Sequence, residues 1–178
     1  RMQCPPKIAI HEGPGRSFST KLIRYEKVLN YNSIPFTRVN SSSIDFWQSL
    51  RKMDAFIYHF THFDSEFQIA KAILPVIEHN LKLKCFPDQN TCWHFDDKIR
   101  QACLFKSMNL PMAETWVFWN LEDALDWIET ADFPLVFKLK GGAGSANVIL
   151  LKTKREARRL SIKMFSRKGI SFSKIPHR

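Results

Sequence analysis

Short apolar runs alternate along the chain with helix-length amphipathic stretches. Lys7-Ile8-Ala9-Ile10-His11 predicts a buried strand, closed by the turn-rich Glu12-Gly13-Pro14-Gly15-Arg16. Over residues 19–30, Leu22, Ile23, Tyr25 and Leu29 recur near helical spacing. Residues 35–39 predict a second strand, and Ser41, Ser42 and Ser43 offer N-caps for a helix reaching about residue 51. A third strand is expected over residues 55–60. The helix over 65–80 places Phe67, Ala70, Ile73, Leu74 and Ile77 on one face, and a fourth strand over 83–86 ends at Pro87-Asp88. Strands alternating with helices in this way predict βαβ units and a parallel sheet, Rossmann-like in plan.

Beyond residue 88 the pattern changes. Asp96 and Asp97 are expected in the first turn of a helix reaching about Met108, its apolar face made by Ile99, Ala102, Cys103 and Met108. Residues 114–119 (Glu-Thr-Trp-Val-Phe-Trp) predict a strand. Asn120 caps a helix with Leu121, Ala124, Leu125 and Ile128 facing inward. Residues 134–140 and 147–151 predict two strands pairing antiparallel, and Thr153-Lys154-Arg155-Glu156 has capping-box form at the head of a last helix. The expected fold is therefore α/β. An N-terminal parallel-sheet unit occupies residues 1–92, a small α+β unit with antiparallel strands follows over 93–165, and a basic tail covers 166–178.

Composition narrows the function. With 44% apolar and 13% aromatic residues, the 178-residue chain can bury a core. No apolar run approaches the ~18 residues that a membrane span needs, and no secretory leader is visible, which points to the cytoplasm. Cys4, Cys85, Cys92 and Cys103 lack zinc-site or disulfide-scaffold spacing, so no metal site is expected among them. The net charge is +10, but it is not spread evenly. Residues 151–178 hold ten Lys or Arg against one acid, whereas the first 150 residues hold 17 against 16. That basic end could take a polyanion. The aromatic residues sit in apolar patterns rather than among these cations, which argues against nucleic acid.

The densest chemistry lies at residues 138–146. Strand alternation puts Val136, Lys138 and Lys140 on one face, and Gly141-Gly142-Ala143-Gly144-Ser145-Ala146 follows directly. Glycines allow backbone N–H groups to approach an anion, and a neighbouring ammonium supplies the point charge. The lysine precedes the glycines and a strand follows them, unlike a Walker A loop or a kinase loop. Alone, this segment reads equally as a phosphate flap or as a flexible hairpin beside two solvated lysines. Two loops past strand ends in the first unit, Glu12 to Ser17 and Thr61 to Asp64, stand where parallel sheets take ligands. They make Glu12, Arg16, Ser17, His62 and Asp64 substrate candidates.

Taken in order, Asp97-Lys98 opening a helix, Leu110-Pro111-Met112-Ala113-Glu114-Thr115, and Phe133-Pro134-Leu135-Val136-Phe137-Lys138 before the glycine loop resemble the ATP-grasp superfamily. The resemblance spans roughly residues 88–160. It implies that residues 1–92 are the α/β domain that leads into such folds, and that 93–165 form the first, lid-forming half of the ATP-grasp domain. It implies further that Lys98 and Lys138 contact ATP phosphates beneath a loop formed by Gly141, Gly142, Gly144 and Ser145. The parent activity would be an ATP- and magnesium-dependent ligation of a small-molecule or peptide carboxylate to an amine or similar nucleophile, through an acyl phosphate. Family members continue well beyond this length, so the magnesium ligands and catalytic residues are expected outside this chain, and the fragment alone is expected to be inactive. The alternative is a non-catalytic nucleotide- or partner-binding module, with a nucleic-acid binder acting through the basic end behind it.

Overall fold

The computed structural model describes residues 5–13, 20–60, 63–141 and 148–170. The chain divides into two compact units, Arg1–Phe95 and Asp96–Arg178.

In the first unit, β1 (Ile8–His11), β2 (Phe36–Val39), β3 (Ala55–Ile57) and β4 (Lys84–Phe86) form one sheet in the order β2-β1-β3-β4. Every pairing is parallel, with Ala9 opposite Thr37 on one side and Phe56 on the other. Side chains alternate across the pleat, which splits the core in two. Ile8, Ile10 and Ile57 face α1 (Thr20–Tyr31), whose Leu22 and Leu29 are buried against them. Ala9 and Phe56 face the other way. There they join Phe46 and Leu50 of α2 (Phe46–Leu50), five residues of α3 (Asp64–His79) and Cys92 of α4 (Gln89–His94). The five are Phe67, Ala70, Ile73, Leu74 and Ile77, the face expected from helical periodicity. Helices thus cover both faces of a parallel sheet, as its apolar strands require.

Local expectations fail in instructive places. The third strand stops at Ile57 rather than residue 60: Tyr58 N–H still donates a ladder bond to the Phe86 carbonyl of β4, and beyond it Phe60 packs on Phe67 and Phe95. The serines do not cap α2: Asp45 is its N-cap residue, and the Ser43 hydroxyl bonds to the Asp45 carboxylate. The six-residue α4 was not foreseen; Asp88 caps it by accepting from Thr91 N–H at 2.7 Å.

The second unit contains α5 (Lys98–Ser107), α6 (Leu121–Thr130), β5 (Leu135–Lys138), β6 (Val148–Leu151) and α7 (Lys154–Met164). β5 and β6 pair antiparallel, Lys138 opposite Val148 and Phe137 opposite Ile149. Inward-facing Phe137, Ile149 and Leu151 pack with Ile128 of α6 and Ala157 of α7. Asn120 caps α6, and the capping box on α7 forms with both of its bonds. Two expectations are corrected. Asp96 and Asp97 do not lie inside α5: Asp97 is its N-cap, Asp96 precedes it at φ 49°, and the Cys103 and Met108 side chains are exposed. Residues 114–119 are not a strand, since among the described residues none pairs with them. Their alternating aromatics instead lie against α6, with the Trp116 and Phe118 rings 4.6 and 5.2 Å from Trp127.

Candidate functional site

Two backbone facts shape the second unit. α5 begins at Lys98, so the positive end of its dipole is there, with Arg100 N–H already taken by the Asp97 carboxylate. Lys98 N–H donates to the Lys140 carbonyl at 2.9 Å, which ties the head of the helix to the chain just leaving β5. Lys98, Arg100 and Lys140 thereby meet at the head of the helix, and Lys138 lies two residues upstream, at the end of β5. Cations at a helix N-terminus work against its dipole, and here the Asp96 and Asp97 carboxylates offset them.

The carboxylates in this region are already engaged. The Asp96 carboxylate lies 3.6 Å from Lys98 Nζ. The Asp97 carboxylate, nearly buried, lies 3.3 Å from Arg100 Nε and 3.4 Å from Lys140 Nζ, and also accepts from Arg100 N–H at 3.0 Å. Lys138 is exposed and, among the described residues, has no ion-pair partner. It stands on the outer face of the β5-β6 pair beside Val136, Val148 and Leu150, all exposed. Lys140 leaves the face expected for it: β5 ends at Lys138, and its ammonium turns to Asp97.

Gly141 opens the glycine loop. Its φ is not in the left-handed region, and a Cβ there would approach the Asp96 carbonyl only to 3.9 Å, an ordinary contact. The expected use of positive φ does not apply at this position. Gly141→Ala should therefore fold normally, with a melting temperature equal to the wild type's or slightly higher; a drop of several degrees would show that the site needs glycine. Gly142, Gly144 and Ser145 lie outside the described residues.

In the first unit, Arg16, Ser17 and His62 likewise lie outside the described residues. Asp64 begins α3, and its side chain is not described. Glu12 is placed, but toward β2 rather than β3: its N–H donates to the Val39 carbonyl at 2.9 Å. With Arg38, Asn40, Ser43, Asp45 and Ser49 it lines a shallow cleft of about 210 Å³ beyond the ends of β1 and β2. Arg38 there is held by a two-bond ion pair to Glu26, at 2.6 and 2.8 Å.

Sequence reasoning overlooked His11. Its side chain is fully buried, and its two ring nitrogens lie 2.8 Å from Gly13 N and 3.1 Å from Ser41 N, so it anchors the loops after β1 and β2. Burial lowers its pKa to about 4. Burial, with Glu78 adding to it, pushes the Cys85 thiol up to about 12, which leaves no reactive thiolate there.

Among the described residues no three His, Cys, Asp or Glu side chains are grouped to hold a metal ion. Asp96 and Asp97 already face cations. These donors do not fit a magnesium site, and no step is routed through one. No described helix is long and apolar enough to cross a membrane.

No protein-family model and no curated protein matches the sequence. Among solved structures the chain is similar to a RimK domain protein, ATP-grasp, from Sphaerobacter thermophilus DSM 20745, with a TM-score of 0.56 and 13% identity. The likeness covers 88% of this chain and 58% of that one, so the present chain spans little more than half the length of its structural neighbour. At that identity the likeness is one of fold, and the fold on which this chain is built is the ATP-grasp one.

Proposed function

We propose that this chain is the phosphate-clamping part of an ATP-dependent ligase. The observation that carries the reading is the bond from Lys98 N–H to the Lys140 carbonyl. It draws the chain two residues beyond Lys138 to the head of the helix that Lys98 opens, where a polyphosphate would be met by the helix dipole and ammonium groups together. The exposed apolar side chains of Val136, Val148 and Leu150, beside Lys138, suit the flat base of a nucleotide. In such a ligase ATP supplies the phosphoryl group that converts a carboxylate into an acyl phosphate, whose phosphate an amine then displaces. The residues of this chain bind and orient. Lys98 and Lys138 neutralise phosphate charge, and the loop opened by Gly141 excludes water. The loops after β1 and β3 are where the first unit would take its substrate.

Calorimetric titration tests this directly. The wild-type chain should bind ATP but not adenosine, and Lys138→Ala should weaken ATP binding by about tenfold, one charge-assisted contact's worth. Equal affinity in the two proteins, or no ATP binding at all, would remove the clamp.

A further inference from the structure

Asp97 does more than cap a helix. Capping needs only an acceptor for Arg100 N–H, and asparagine or serine serves as well at an N-cap. The residue here carries a full negative charge beside what we read as a site for a polyanion, where that charge repels the ligand. The same carboxylate, 8% exposed, also lies 3.4 Å from Lys140 Nζ. Lys140 is thus held twice by the start of α5: through its backbone carbonyl by Lys98 N–H, and through its side chain by Asp97. It is the last residue before Gly141, so whatever fixes it fixes the base of the glycine loop and, two residues upstream, the end of β5 with Lys138.

We propose that Asp97 is a positioning residue for the phosphate site, acting through Lys140 as a strut that locks the loop base and Lys138 onto the head of α5. The inference rests on the clamp reading above. On this view Lys140 is a structural partner rather than a phosphate ligand, and the cost of a nearby carboxylate is offset by the order it imposes on Lys98 and Lys138.

The variant Asp97→Asn separates the two roles, because it keeps the cap and removes the charge. If the carboxylate acted only as a neighbouring charge, its loss would tighten ATP binding. As a strut its loss should weaken binding, by about threefold or more, although the protein becomes more cationic. Lys140→Met should weaken binding to a similar extent. The double variant should be no worse than the poorer single one, since both break the same contact. Unchanged or tighter binding in Asp97→Asn, or losses that multiply in the double variant, would overturn the proposal.

A second measurement does not depend on ATP. Hydrogen exchange at the Lys98 amide, whose acceptor is the Lys140 carbonyl, should quicken in both single variants while amides in the middle of α5 keep their rates. Should the wild type bind no ATP, the clamp reading fails, and the Lys98 exchange rate still decides whether Asp97 pins the strand to the helix. An unchanged rate there would overturn the strut.

Discussion

Lowering the pH from 7 to about 4 should cost the folded chain about 3 kcal/mol through His11 alone. His11 lies in β1 at the centre of the sheet, fully buried, with its ring 4.6 Å from that of Tyr58 and edge-on to Phe46 and Phe56. Burial there lowers its pKa from 6.5 to about 4. Hydrogen bonding acts in the same direction. Both ring nitrogens face backbone N–H donors, a neutral imidazole can accept from one of them, and an imidazolium from neither. Between pH 6.5 and about 4 the unfolded chain binds a proton at His11 and the folded chain does not. Stability from this residue is therefore complete above 6.5, declines as the pH falls, and stops declining once the folded form is protonated too. Urea unfolding at pH 7 and pH 4.5 measures it, with His11→Gln as the reference that cannot titrate. The wild type should lose about 2–3 kcal/mol more than the variant over that interval. Equal losses would mean that His11 is not held neutral.

Much of this architecture can be read from the sequence, for a physical reason. Where one face of an element packs on a broad apolar surface, periodicity reports it: Ala70, Leu74 and Ile77 of α3, or Phe137 between its exposed neighbours Val136 and Lys138. The same reasoning misled at residues 114–119, because alternating aromatics also suit an extended segment lying on a helix, and a strand needs a partner that periodicity cannot supply. Lys140 illustrates the limit at the site. Alternation placed it beside Lys138, but alternation ends where the strand ends, and beyond it the nearest carboxylate decides where the ammonium goes. The same holds for His11, whose partners Gly13 and Ser41 belong to two different loops that only the sheet brings together. Short-range chemistry such as the Thr153 capping box was legible; the bond from Lys98 N–H to the Lys140 carbonyl, between residues far apart in sequence, was not.

Phe56→Ala should be more damaging than acid, costing about 3–5 kcal/mol. Phe56 is fully buried on the inner strand β3, between Ala9 of β1 and Cys85 of β4, with its ring 6.0 to 6.2 Å from those of His11, Phe46 and Tyr58. Truncation forfeits the transfer free energy of the ring and leaves a cavity between two hydrogen-bonded neighbours, which cannot close without breaking the sheet. Against a typical total of about 5–15 kcal/mol, that is a large share. The urea midpoint should fall accordingly, and Phe56→Leu should recover most of the loss. Val136→Ala, on an exposed strand face, should change stability by no more than about 0.5 kcal/mol. The two largest effects are also coupled. The cavity left by Phe56 lies against the His11 ring, and water admitted there would relieve the desolvation that keeps His11 neutral. The pKa of His11 in Phe56→Ala should then rise back toward 6.5, and the variant, though less stable at pH 7, should lose less on acidification than the wild type does. A variant that lost stability while keeping the full acid dependence would show that Phe56 packs the sheet without shielding His11, and that the shield lies with Phe46 and Tyr58.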